Sequence, residues 1–228
     1  LKGNINTMVW ICYIIMLAVP YLLGGINTSI IITKIKTGKD IRTMGSGNAG
    51  FTNTLRTQSK STAIIVLFGD VAKAVLAVWA VRLSFLFIGG IDTTNVALNM
   101  NWVGYVAALM VVVGHIFPLY YGFKGGKGVL AAVSAIFTLD WRSGAILLFV
   151  FIVLVAITRY VSLGSCVASV LFCITTLIFT HFIDNDPSGI INTFIALFTG
   201  ALIIFMHRGN IQRLLSHTEK KLGEKEKS

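Results

Sequence analysis

An all-α polytopic membrane fold, one bundle of seven transmembrane helices over residues 1–228 with no second domain, is what three observations predict. Hydrophobic residues make up 55% of the 228 and charged residues only 12%, too apolar for an ordinary soluble domain. Several apolar runs approach the roughly 20 residues that cross a bilayer. The lysines and arginines sit mainly in the connections between runs, as membrane topology requires. No strand alternation points to a barrel. The net charge of +10 is a topology signal, and no nucleic-acid partner is expected.

The first span is expected over about residues 8–32. It is interrupted only by Pro20 and the Gly24-Gly25 pair, which favour a kink or close helix packing. No small-residue cleavage site follows it, so a retained helix is expected rather than a signal peptide. A basic loop (Lys34, Lys36, Lys39, Arg42) then leads into GSGNAGFTNTLR, residues 45–56. The second span, about 62–88, carries Asp70 and Lys73. A charge at a helix centre costs roughly 2.5–3.5 kcal/mol on insertion scales, so these two are expected to form a structural ion pair. The third span, about 102–121, contains His115, read as an interfacial hydrogen-bonding histidine or a site residue, with the first preferred. It delivers the chain to GFKGGKGV, residues 122–129. The fourth run, 129–139, is below spanning length unless the glycine loop supplies its first turn. The fifth, 144–158, ends at RYVSLG, residues 159–164. The sixth, 165–183, is stopped by DNDPSG. The seventh, 190–206, precedes a charged amphipathic tail from His207. Cys12, Cys166 and Cys173 lie in apolar runs without metal spacing and read as small buried hydrophobes without a disulfide.

Seven spans put alternate connections on opposite sides. The basic residues from Lys34 to Lys60, in the glycine loop, at Arg159 and from Arg208 onward share one face. The other face has Lys2, Arg82 and Arg142, offset by Asp92, Asp140, Asp184 and Asp186. The positive-inside rule then sets the N-terminus outside and the C-terminus in the cytoplasm. All four polar, glycine-rich motifs fall on the cytoplasmic face, so one site is expected there.

The residue types in these motifs suit phosphate. Gly125, Gly126 and Gly128 allow close backbone approach and anion-binding N–H groups, and Lys124 and Lys127 add point charges. A P-loop is excluded, because Gly128 stands where Ser or Thr must follow the Gly-Lys pair. The plain alternative is a tight loop whose lysines serve topology. GSGNAGFTNTLR offers the Ser46 and Thr52 hydroxyls, the Asn48 and Asn53 amides, Gly47 and Arg56. A helix starting at Phe51 would put Thr52 and Arg56 on one face; the alternative is a Gly/Asn turn with an N-cap. Arg159 and Ser162 come from RYVSLG. His207 and Asn210, three apart, share a helix face, and His207 is a general acid–base or an orienting group. The alternative for this segment is a surface tail held by lysines. There is no zinc spacing and no G-x-S-x-G elbow; neither metal nor cofactor is expected.

Taken together, DIRTMGSGNAGFTNTLR, GHIFPLYYGFKGGKGV and HRGNIQRLLSHTEKKL, with RYVSLG as a weaker fourth, resemble the bacterial acyl-phosphate-dependent glycerol-3-phosphate acyltransferase family over nearly the whole chain. The resemblance implies acyl transfer from a fatty acyl phosphate to the sn-1 hydroxyl of glycerol 3-phosphate. The products would be lysophosphatidic acid and phosphate, in the first step of phospholipid synthesis. It also implies a multi-pass protein of the bacterial cell membrane, in contact with membrane lipid, with a cytoplasm-facing site and a peripheral enzyme that makes the acyl phosphate. Carried over by position, Ser46 and Arg56 match the family's functional Ser and Arg, and Thr52 and Asn53 its phosphate-contacting neighbours. Lys124, Gly125, Gly126 and Lys127 match its glycerol-phosphate motif. His207 and Asn210 match its functional pair, and Glu219 its largely structural acid. Catalytic roles are expected for Ser46, Arg56, Lys124, His207 and Asn210. The family commonly has Glu where Gly209 stands and Gly where His217 stands. A His-x-x-x-x-Asp pattern, His181 to Asp186, is similar to the signature of soluble-type glycerolipid acyltransferases, but it falls on the opposite side and is read as accidental. The rival is a transporter or channel for an anionic phosphorylated metabolite. Against it stand the lack of an inverted repeat or matched broken helices and the crowding of polar groups at one interface.

Overall fold

A computed structural model describes residues 2–224; Lys225 and Lys227 of the basic tail lie outside them. Helices and their connections account for the described residues, with no strand among them. In order they are α1 (Lys2–Gly25), α2 (Thr28–Thr37), α3 (Phe51–Thr57), α4 (Lys60–Phe87), α5 (Trp102–Ile116), α6 (Val129–Leu139), α7 (Trp141–Thr158), α8 (Val161–Thr176, continued by a wider π-type turn to Ile183), α9 (Gly189–Met206) and α10 (Arg208–Leu215). Among the described residues six helical segments are long and apolar enough to cross a membrane: Met8–Thr37, Lys60–Phe87, Trp102–Tyr121, Trp141–Thr158, Val161–Ile183 and Gly189–Met206.

The first span is broken where the sequence offers glycine rather than where it offers proline. Pro20 lies inside α1, and the helix stops at Gly25. Asn27 then caps α2, its side-chain oxygen accepting the Ile30 N–H at 3.2 Å. The fourth run is a helix over the expected residues, Val129–Leu139, and stays below spanning length. The glycine loop does not supply a first helical turn, because Gly128 sits at φ +81°, a left-handed conformation that ends the irregular loop and starts α6 only at Val129. Eleven residues at about 1.5 Å each reach about 16 Å, half of a roughly 30 Å hydrocarbon core.

Buried residues of α1, α4, α5, α6, α8 and α9, with Leu147 of α7, form one core that includes Cys12, Val81, Phe85, Val111 and Ile116. Cys12 is buried, Cys166 and Cys173 are half-buried, and all three are free thiols. Close approach of α1 and α5 depends on two glycines: a Cβ on Gly24 would collide with the Val111 carbonyl, and one on Gly114 with that of Tyr21. Small residues at such crossings give the backbone proximity that holds apolar helices together in lipid.

The bundle has two polar ends. At one, Arg142 bridges Asp140 and Asp184, and Asp186 accepts from Asn101, Asn192 and the Ser188 N–H. The Asp of the His181–Asp186 pattern is thus a structural acceptor, and His181 packs edge-on against Phe182. The other end gathers the glycine-rich motifs. Between them α6 runs from the glycine loop to Thr138, whose carbonyl accepts from buried Arg82 at 3.2 Å.

Gly24→Val should cost about 1–3 kcal/mol, the usual range for overpacking, because the atom in its way is rigid backbone. Thermal unfolding in detergent checks this; a variant as stable as the parent would show that α1 and α5 can separate freely.

Candidate active site

The motif-bearing end encloses a cavity of about 700 Å³. Its polar wall comes from four distant stretches: Ser46 to Asn48 with Thr52 and Arg56, then Lys127 and Gly128, then Ser162, then His207 with Asn210, Arg213 and Glu219. Its apolar wall is made by Leu67 of α4, Val129, Leu130 and Val133 of α6, and Leu148, Phe151 and Val155 of α7. A polar head with an acyl tail matches this division.

The first wall is built by Asn53. Its side-chain oxygen accepts the Ser46 N–H at 2.9 Å, and its amide N–H groups reach the carbonyls of Met44 at 2.9 Å and Ile41 at 3.3 Å. Asn53 is buried and also lines the cavity, and its amide shapes the loop. The helix expected from Phe51 is α3, and it presents Thr52 and Arg56 to the cavity together.

The glycine loop works differently from an open cradle. The Gly125 N–H donates to the Ile116 carbonyl at 3.0 Å and the Gly126 N–H to that of His115 at 3.1 Å. Those N–H groups complete the C-terminus of α5. A Cβ at Gly126 would strike the His115 ring and the Ala49 carbonyl, and one at Gly125 the carbonyls of His115 and Ile116. These glycines are therefore needed for close packing, and neither they nor Lys124 are among the residues that line the cavity. Lys124 is exposed. Arg42, read from sequence as a topology charge, holds this loop: its Nη1 donates to the Tyr121 and Lys124 carbonyls, each at 2.9 Å. Its guanidinium also pairs with Asp40 at 2.7 Å and thereby holds that carboxyl below its usual range.

Lys127 is the cation that the loop carries inward. Its Nζ donates to the side-chain oxygen of Asn210, and burial pushes the ammonium down to about 8. Asn210 passes the contact on, its Nδ2 donating to Glu219 Oε1 at 2.6 Å. The same oxygen accepts from Ser162 Oγ at 2.8 Å, and Oε2 accepts from Arg213 Nε at 2.7 Å. Burial alone would raise the Glu219 carboxyl, but these hydrogen bonds from Asn210, Ser162 and Arg213 hold it below the usual range. Ser162 lines the cavity as expected, yet its hydroxyl is held by Glu219. Arg159 is not among the lining residues: its guanidinium donates to the Leu222 carbonyl at 2.6 and 3.1 Å, and the Leu222 N–H returns to the Arg159 carbonyl at 2.8 Å. It anchors the tail.

His207 is buried at the α9–α10 junction. Its Nδ1 lies 2.8 Å from the Ile203 carbonyl, which can only accept, so the proton sits on Nδ1 and Nε2 keeps a lone pair. Burial pushes this imidazole down to about 4, so it is neutral near pH 7. Asp70 and His115 also line the cavity. The expected Asp70–Lys73 pair is present at 2.8 Å, and His115 joins it, with Nδ1 2.9 Å from Lys73 Nζ. Proximity of His115 to the ion pair leaves no trace in local spacing, because 42 residues separate His115 from Lys73. Among the described residues, no cluster of His, Cys, Asp and Glu is arranged to hold a metal.

Comparison with known proteins points to one family. The profile of the glycerol-3-phosphate acyltransferase family matches residues 14–217. A glycerol-3-phosphate acyltransferase of Clostridioides difficile (strain 630) is 45% identical over 213 residues, covering 93% of this chain and 97% of the relative. One from Francisella tularensis subsp. tularensis (strain SCHU S4 / Schu 4) is 36% identical, covering 93% and 94%. The crystal structure of PlsY (YgiH), an integral membrane glycerol 3-phosphate acyltransferase in its glycerol 3-phosphate form, superposes with a TM-score of 0.74 at 33% identity, covering 91% of this chain and 94% of that one. Its lysophosphatidic acid form gives 0.69 at 32%. With its fold, its motif-built cavity and both sets of relatives in agreement, this chain belongs to the glycerol-3-phosphate acyltransferase family.

Proposed function

We propose that the cavity transfers a fatty acyl group from acyl phosphate to the sn-1 hydroxyl of glycerol 3-phosphate, releasing lysophosphatidic acid and phosphate. The observation that carries this reading is the juxtaposition of a cationic, hydroxyl-bearing wall with an apolar wall in one cavity. The hydroxyl oxygen attacks the acyl carbonyl carbon. The bond from that carbon to the phosphate oxygen breaks, and the electron pair leaves with phosphate. Because the donor is already activated, no covalent enzyme intermediate is needed. Arg56 and Lys127 hold the two phosphates, and Ser46 and Thr52 donate to their oxygens. Fixed donors in a partly dry site stabilise the charge that develops on the leaving group, and holding two anions in attack geometry supplies proximity. His207, a lining residue whose Nε2 keeps a lone pair, accepts a hydrogen bond from the glycerol hydroxyl in this reading. Its depressed basicity favours the departing phosphate as the final proton acceptor.

The topology proposed with this function has seven crossings, the N-terminus outside and the cavity facing the cytoplasm of a bacterial cell membrane. The path of α6 from the cavity to the Arg82 end supports the seventh crossing. The distribution of basic residues supports the orientation. A peripheral enzyme that makes acyl phosphate would deliver the donor at this face.

Two predictions follow from the reading. Protein in lipid vesicles should release phosphate only when both acyl phosphate and glycerol 3-phosphate are present. Lys127→Ala and Ser46→Ala should each lower kcat/KM by about 100-fold or more, the scale for losing one charge-stabilising donor. Uptake of glycerol phosphate into sealed vesicles without phosphate release would instead favour the transporter.

The second concerns pH. Lys127 titrates from about 8 in the free enzyme, so kcat/KM should fall above pH 8, and Lys127→Arg should move that limb beyond the measurable range. Native Lys127 loses its proton below the ordinary lysine value, so its contribution to stability rises with pH over this window. An unchanged limb in the arginine variant would remove Lys127 from this role.

A further inference from the structure

We propose that His115 is a positioning residue for this reaction: held by Lys73 as the Nε2–H tautomer, it spaces the loop of residues 45–50 against the glycine loop. The Lys73 ammonium donates to the Ile26 carbonyl at 3.0 Å and meets His115 Nδ1 at 2.9 Å, and it is ion-paired with the Asp70 carboxylate at 2.8 Å. An ammonium has donors only, so Nδ1 accepts and the ring proton sits on Nε2. A doubly protonated ring would set one cation's N–H against another's. Asp70, 3.9 Å from Nδ1, balances the single positive charge. All three side chains are buried, where an unpaired member would be costly.

The other edge of the ring meets both loops. Nε2 and the Ala49 carbonyl oxygen border the same space, the one a Gly126 side chain would fill. The His115 carbonyl holds the Gly126 N–H at 3.1 Å. On the far side Asn27, next to the Ile26 that Lys73 holds, donates its Nδ2 to the Ala49 carbonyl at 3.2 Å. Both loops are thus hung from one buried cluster. Lys127 follows Gly126 directly, and α3 with Thr52 and Arg56 begins two residues after Ala49. The distance between the two phosphate-binding cations is set through His115.

The side-chain amide of glutamine can occupy the Nε2 place, whereas that of asparagine reaches only the Nδ1 place. His115→Gln should keep kcat within about threefold of the parent. His115→Asn should lose kcat by about 100-fold, the scale of a misplacement near 1 Å, with KM for each substrate little changed, because each loop still binds its own phosphate. Asparagine as active as glutamine overturns the proposal, and so does a loss of kcat in both variants that merely tracks a fall in thermal stability. If neither variant folds, the 15N spectrum of imidazole-labelled parent protein in lipid decides: a protonated Nε2 and bare Nδ1 are expected, and a proton on Nδ1 overturns the proposal. The kinetic arm rests on the acylation reading. The spectrum does not, so a failure of that reading would appear as an inactive parent with the tautomer still measurable.

Discussion

Polar backbone cannot be left unpaired where it is packed inside a protein, and this protein packs the inner part of a glycine-rich loop against a helix end. The hydrogen bonds from Gly125 and Gly126 to the last carbonyls of α5 satisfy both partners at once: two loop donors and two orphan acceptors of a helix end. The rest of the site depends on that exchange. It carries Lys127 to the cavity. Arg42 fixes the loop from the outer side through the Tyr121 and Lys124 carbonyls, and the His115 ring fixes it from the inner side.

The tail closes the opposite wall by a different device. One carboxylate, Glu219, gathers Asn210, Ser162 and Arg213, and the Arg159–Leu222 exchange pins the chain just beyond it. Asn210 is thereby oriented with its oxygen toward Lys127 and its nitrogen toward Glu219. A single buried acid among several cations organises the wall while leaving net positive charge for anionic substrates. His217, where the family commonly has Gly, adopts φ +56°. The left-handed turn before Glu219 explains why glycine suits that position.

Much of this was legible from residue types and spacing. The motifs carry enough hydroxyls, amides and cations to announce phosphate, Asp70 and Lys73 lie on one helix face, and Thr52 and Arg56 do turn together on α3. What stayed hidden were the partners across long sequence separations. Nothing local distinguishes a lysine that enters the cavity, Lys127, from one that stays outside, Lys124, three residues away. Nor does composition reveal that Asn53 shapes a loop, that Arg159 pins the tail, or that the glycines pack more than they cradle. The bounds of the short α6 were legible from its apolar run, but periodicity cannot say that a left-handed Gly128 keeps the glycine loop from adding a turn. The six long apolar segments needed only length and hydropathy.

A structure of the protein in lipid with glycerol 3-phosphate and a non-hydrolysable acyl phosphonate bound together would decide whether one cavity holds both substrates. The account predicts both phosphorus-bearing groups within hydrogen-bond reach of Arg56 or Lys127, with the acyl chain along Val133, Leu148 and Phe151. Ligands held instead by Lys124 and Arg159, outside the cavity, would contradict it.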